Sequence, residues 1–151
     1  MNDTDSPPDP ALARLSVLVG TWTEQVGLPG VPAGQMSFEW ALDGQFLLQR
    51  STIPWSAFPD SIGIIAAAER GDGYTQHYFD ARGVVRSYAM TLDDRTWTLL
   101  RDQPDATPLH FAQRFTGILT ADTNTITASW ETSRDGQHWH KDFDLTYTRN
   151  A

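Results

Sequence analysis

The chain has 151 residues, 40% of them hydrophobic and 20% charged, with a formal net charge of −8 and no cysteine. That length fits one domain able to bury roughly two-thirds of its unfolded surface. The missing cysteines exclude disulfides and thiol catalysis and are compatible with a cytoplasmic setting. The acidic charge argues against nucleic acid or an anionic membrane as partner, and no apolar run approaches the ~20 residues of a helical membrane span.

Residues 1–10, MNDTDSPPDP, are polar, acidic and proline-rich, so they read as a disordered lead-in without a secretory pattern, ahead of one domain over 11–151. Leu12, Leu15, Leu18 and Val19 then recur at the spacing of one helical face. Asp9 suits the N-cap, Pro10 the first helical position, and Gly20 the stop. A helix over 11–19 is too short to be stable alone, so it must dock on another element, one end of a barrel being the natural place.

From Gly20 onward the pattern is that of strands, over 20–26, 35–42, 45–52, 61–67, 74–79, 84–92, 96–101, 110–118, 125–132 and 139–148. Turn signals separate them: Leu42-Asp43-Gly44-Gln45, Arg70-Gly71-Asp72-Gly73, Asp93-Asp94, Asp122-Thr123-Asn124 and Arg134-Asp135-Gly136. About ten short strands without a second helix predict an all-β antiparallel up-and-down barrel, whose closure removes exposed edges. Alternation assigns the faces. Met36, Phe38 and Trp40 share one face, as do Ile126, Ala128 and Trp130, and Phe143, Leu145 and Tyr147. In 84–92 the large residues Val84, Arg86, Tyr88, Met90 and Leu92 lie together; if that face is interior, Arg86 and Tyr88 line a cavity.

The hairpin over 74–92 carries the chemistry. Histidine as a residue type suits proton transfer near neutral pH, yet alternation sets His77 with Thr75 and Phe79, opposite Tyr74, Gln76 and Tyr78, so the inward face of this strand stays open. Arg86, Tyr88 and Gln113 make a better binding group: an inward arginine needs a carboxylate, which could be Glu39, Asp80 or a ligand. The candidate catalytic residues are therefore His77, Tyr88 and Glu39, and the candidate ligand-binding residues are Trp40, Tyr78, Arg86, Tyr88, Phe111, Gln113 and Trp130. Trp97 and Phe115 would add apolar lining, or a filled core. Asp80, Arg82 and Gly83 read as turn chemistry. His138, His140, Asp142 and Asp144 resemble a metal cluster at first, but they flank an Asp-Gly turn at a solvated rim, so no metal is expected. No nucleotide fingerprint or nucleophile elbow occurs.

Leu18-Val19-Gly20-Thr21-Trp22 resembles the opening of a calycin-type barrel, a short helix followed by Gly-x-Trp. Phe38-Glu39-Trp40, Leu42-Asp43-Gly44-Gln45-Phe46-Leu47, His77-Tyr78-Phe79-Asp80-x-Arg82-Gly83-Val84 and Leu145-Thr146-Tyr147-Thr148-Arg149 extend the likeness over about residues 12–149. Together they resemble a bacterial family of small lipocalin-like or fatty-acid-binding-protein-like barrels that implies no particular activity. Fatty-acid-binding barrels use an arginine and a tyrosine to hold a carboxylate, a role this resemblance makes available to Arg86 and Tyr88. Nitrobindins, haem-binding barrels, are more distantly similar. Thr23-Glu24-Gln25-Val26 replaces their glycine-rich run, and His140 joins outward Asp142 and Asp144 unless a bulge intervenes, so haem is not expected.

The expectation is a barrel that binds a small, mostly apolar molecule, with a carboxylate or carbonyl near Arg86 and Tyr88 and no cofactor. The rival is a cofactor-independent isomerase, cyclase or hydratase using the same cavity. Residues 27–34 and 54–60 would gate it, with Trp55 and Phe58 serving a lid or a homodimer contact.

Overall fold

The computed structural model describes residues 9–69 and 71–151, so Arg70 and most of the expected disordered segment lie outside the described residues. Ten strands follow a short helical segment: β1 (Gly20–Val26), β2 (Gly34–Ala41), β3 (Phe46–Thr52), β4 (Ser61–Ala67), β5 (Tyr74–Asp80), β6 (Val85–Asp93), β7 (Thr96–Arg101), β8 (Ala112–Leu119), β9 (Thr125–Ser133) and β10 (His140–Arg149). Every strand pairs antiparallel with its chain neighbours, and β1 pairs with β10 to close the barrel. The architecture is compatible with a calycin-like fold. The turn signals work as sequence chemistry dictates: Leu42, Asp43 and Gly44 all take left-handed φ, of 51°, 59° and 77°, between β2 and β3.

The helical segment differs from expectation. An α-helical turn, α1 (Pro10–Ala13), tightens into a 3₁₀ helix over Arg14–Leu18. Asp9 caps it, its Oδ1 accepting the Ala11 N–H at 2.8 Å, so Asp9 and Pro10 belong to this ordered element. The reason lies in the spacing. Leu12, Leu15 and Leu18 stand three residues apart, which a three-residue turn stacks in one line, and all three are buried.

That apolar line plugs one end of the barrel above Trp22, whose indole N–H donates to the Leu18 carbonyl at 2.9 Å. The Tyr74 hydroxyl donates to the Ala11 carbonyl from the opposite wall. Arg149 completes the seal. Its guanidinium donates to the carbonyls of Val19 at 2.7 Å, Val17 at 2.6 Å and Thr123 at 3.1 Å. It also lies 4.2 Å from the centre of the Trp22 ring. A helix end leaves carbonyls without partners, and here one cation from the last strand supplies them. Gly20 permits this closeness, with φ +129° and an added Cβ only 3.0 Å from Arg149 Nη1.

One irregularity matters for the open end. The β9–β10 register shifts between Lys141 and Phe143, a bulge that aligns His140 with Thr132 and Phe143 with Trp130. Strict alternation fails there: His140 moves to the β9 face that carries Trp130, but remains exposed at the rim.

Replacing Arg149 by alanine is expected to lower stability by about 2–4 kcal/mol, since several carbonyls lose a charged donor and Trp22 its cation. Urea unfolding of Arg149→Ala and Arg149→Lys checks this, the lysine variant recovering part of the loss.

Candidate functional site

Alternation sends one face of every strand into the lumen. Beyond the plugged end those faces enclose a cavity of about 360 Å³, within the range of small-molecule sites. Its lining mixes aromatic rings and polar groups with a few aliphatic side chains.

Arg86, on β6, borders the cavity with Tyr88 and Gln113. The Gln113 Oε1 accepts from the Tyr88 hydroxyl at 3.0 Å and from Arg86 Nη1 at 3.3 Å, and the Phe111 ring centre lies 5.8 Å from the guanidinium. Arg86 forms no ion pair among the described residues; both protein carboxylates expected for it are engaged elsewhere. Glu39 lies outside the barrel, 3.8 Å from Arg50. Asp80 accepts from Arg82 Nη2 at 2.7 Å, the Tyr78 hydroxyl at 2.8 Å and the backbone N–H groups of Arg82 and Val84. Burial alone would raise the Asp80 pKa, but these donors outweigh it and hold the value at about 2. The turn chemistry read at Asp80, Arg82 and Gly83 is present, and it also turns Arg82 and Tyr78 to the cavity.

A second ion pair fixes this corner from behind. Arg101 is buried on β7 and binds Asp105 through two bonds of 2.8 and 3.0 Å. Asp105 also accepts the Ser87 N–H at 2.9 Å, tying the loop before β8 to β6. Phe111 sits on that loop rather than in the strand, which begins at Ala112 and not at His110.

On β1, Glu24 points inward between Trp22 and Val26 and is 4% exposed. It accepts from the Ser51 hydroxyl at 2.7 Å and from Tyr147, its cross-strand partner. No cation pairs with it among the described residues. Burial is the main influence and lifts its pKa to about 7; the Ser51 and Tyr147 bonds favour the anion and offset only part of that. Sequence reasoning missed Glu24 as a site residue. The signal was present, because alternation from Trp22 to Val26 places it indoors. Deeper still, Gln76 donates to Gln49 at 2.5 Å beside Gly63, where an added Cβ would lie 2.9 Å from Gln76 Nε2.

An arc of rings joins the two corners. Tyr78, Tyr88, Trp130, Phe115, Trp97 and Tyr147 contact in that order, with centroid separations of 6.3, 5.7, 5.1, 4.6 and 6.3 Å. Trp97 is 1% exposed and its indole N–H finds no hydrogen-bond partner among the described residues. An unmet buried donor costs about 1–3 kcal/mol.

Six of the candidate ligand-binding residues thus meet at the cavity: Tyr78, Arg86, Tyr88, Phe111, Gln113 and Trp130. Trp40 does not. The register places Phe38 opposite Gly20, so Trp40 lies past the start of β1, towards the plugged end, half-buried against the core. Of the candidate catalytic residues only Tyr88 borders the cavity. His77 is exposed on the outer face, 3.3 Å from the Ser87 hydroxyl, because Gln76 and Tyr78 take the inner one. Glu39 is outward for the same reason, between Phe38 and Trp40.

At the mouth, Ala57, Phe58 and Pro59 border the cavity, and Phe58 meets the Phe143 ring edge-on at 5.4 Å. Trp55 stays 44% exposed. Residues 27–34 do not reach the cavity; Val31 packs into the core instead. Among the rim residues, His138 bonds Asp135, Asp144 pairs with Lys141 at 3.2 Å, and Asp142 at the bulge borders the cavity. The chain matches no protein-family model and no curated protein, so no relative's activity bears on this cavity.

Glu24 sets a pH dependence. The folded protein keeps its proton between about pH 4.5 and 7, where the unfolded chain has released it. Stability from this group therefore falls as pH rises through that window, by about 3 kcal/mol in all. Glu24→Gln is expected to flatten the fall and to exceed the native chain in stability above neutral pH; urea unfolding across the window measures both.

Proposed function

We propose that this calycin-like barrel binds a small, mostly apolar molecule bearing a carboxylate, with Arg86, Tyr88 and Gln113 as its anchor. The observation that carries this reading is the state of Arg86. It faces a cavity, holds only a neutral amide and an aromatic face, forms no ion pair among the described residues, and the two protein carboxylates expected for it, Glu39 and Asp80, are bound to Arg50 and Arg82. A half-buried guanidinium is stabilised when a planar anion meets its donors. The aromatic arc suits the apolar body of such a ligand, and Phe58 with Pro59 is placed to cover it once bound.

One observation favours a second reading, a cofactor-independent isomerase, cyclase or hydratase. Glu24 borders the same cavity with a pKa near neutrality, so it could both take and return a proton there.

Binding is tested by titrating medium-chain alkanoates and 2-naphthoate while following tryptophan fluorescence, since Trp97 and Trp130 border the cavity. Arg86→Ala is expected to weaken affinity by about ten- to a hundredfold, the loss of a charged hydrogen bond. Failure of every apolar acid to bind, or indifference to Arg86→Ala, would sink the reading.

A further inference from the structure

The carboxylate anchor leaves Glu24 without a role. A buried carboxyl is costly, and at the equivalent alternation of β1 the chain uses Trp22 and Val26 instead. The groups packed on Glu24 are neutral: Gly34 pairs with it from β2, Ser51 reaches it from β3, and Tyr147 faces it from β10. The charged groups that border the same cavity, Arg82, Arg86 and Asp142, form no ion pair with it.

Topology separates the two polar corners. Counting round the barrel from β1 to β6 takes five steps through β10 and five through β2, so Glu24 and Arg86 stand on opposite walls. The arc of rings spans the distance between them, from Tyr78 beside Arg86 to Tyr147 against Glu24. Trp97 borders the cavity in the same arc, next to Tyr147.

We propose that Glu24 forms a second subsite for a neutral oxygen, a hydroxyl or carbonyl, at the end of the ligand remote from its carboxylate. The ligand class is then an apolar acid with one distal oxygen function, such as a hydroxy or oxo acid. This deepens the carboxylate-binding reading and rests on it. A hydroxyl donates to the Glu24 carboxylate, whereas a carbonyl accepts from the protonated acid. With the carboxyl titrating near neutrality, both forms are accessible.

The test compares plain alkanoates with ω-hydroxyalkanoates and (ω−1)-oxoalkanoates of increasing length, by calorimetry and tryptophan fluorescence. Proteins are the native chain, Glu24→Gln, Glu24→Leu and Arg86→Ala. At the matching length the oxygenated acid is expected to bind about five- to tenfold tighter than its parent, the worth of one buried hydrogen bond. That gain should vanish in Glu24→Leu, while parent alkanoates bind this variant at least as well. In the native chain the hydroxyl gain should grow from pH about 6 to about 8 and the carbonyl gain should shrink, across the Glu24 value of about 7. Glu24→Gln, which keeps the shape and hydrogen bonding, should lose that pH dependence. No gain at any length, or a gain that survives Glu24→Leu, overturns the subsite while Arg86-dependent binding of the parent acids stands. If the parent acids do not bind, or ignore Arg86→Ala, both readings fall.

Discussion

The backbone pairing of residues 22–26 of β1 with residues 145–149 of β10 joins the two ends of the meander, and the cavity exists only because of it. An open ten-strand sheet would leave two edges unpaired and one apolar face to the solvent. Closure gives that face an interior to share. It also brings Tyr147 against Glu24 and Arg149 against the carbonyls of residues 17 and 19, more than a hundred positions away along the chain. The seal at one end and the polar corner inside are consequences of one strand pairing.

The two ends of the lumen use opposite physics. At the plugged end, three leucines at three-residue spacing and Trp22 exclude water, and the Trp22 N–H and the Arg149 guanidinium are matched to carbonyls. At the other end the chain keeps Glu24, Arg86, Gln76 and Gln113 where aliphatic residues would pack more cheaply. Asp80 and Arg101 show that this sequence neutralises buried charge when the fold alone requires it. Arg86 and Glu24 depart from that habit, on facing walls of one cavity, and the departure is the ground for assigning them to a ligand.

Much of the fold was legible in the residues. Period-two patterning and Asp-Gly turns locate strands because both signals are local: a strand's faces and a left-handed turn position depend on neighbours two or three residues away. The same locality explains the shortfalls. A periodicity that suited an α-helix also suits a 3₁₀ helix when its apolar residues fall three apart, and only docking on Trp22 decided between them. The bulge at Lys141–Phe143 inserts a residue that no alternation pattern announces, so the face of His140 was beyond reach.

For the site, the residues themselves determined which side chains share a face, Arg86 with Tyr88 and Trp130 with Ile126 and Ala128, since alternation is a property of the strand, whereas the inward face of residues 74–79 was decided only by the closed barrel. Glu24 was equally determined, by Trp22 and Val26 on either side. Tertiary structure decided what alternation cannot carry. It set how far along the barrel axis each inward residue lies, which removed Trp40 to the plugged end through the Gly20–Phe38 register. It decided which charges find partners: Glu39 and Asp80 were both available to Arg86 by type, and distance gave them to Arg50 and Arg82. Register and pairing are relations between distant segments, fixed only when the barrel closes, whereas the face of a residue is fixed by its own strand.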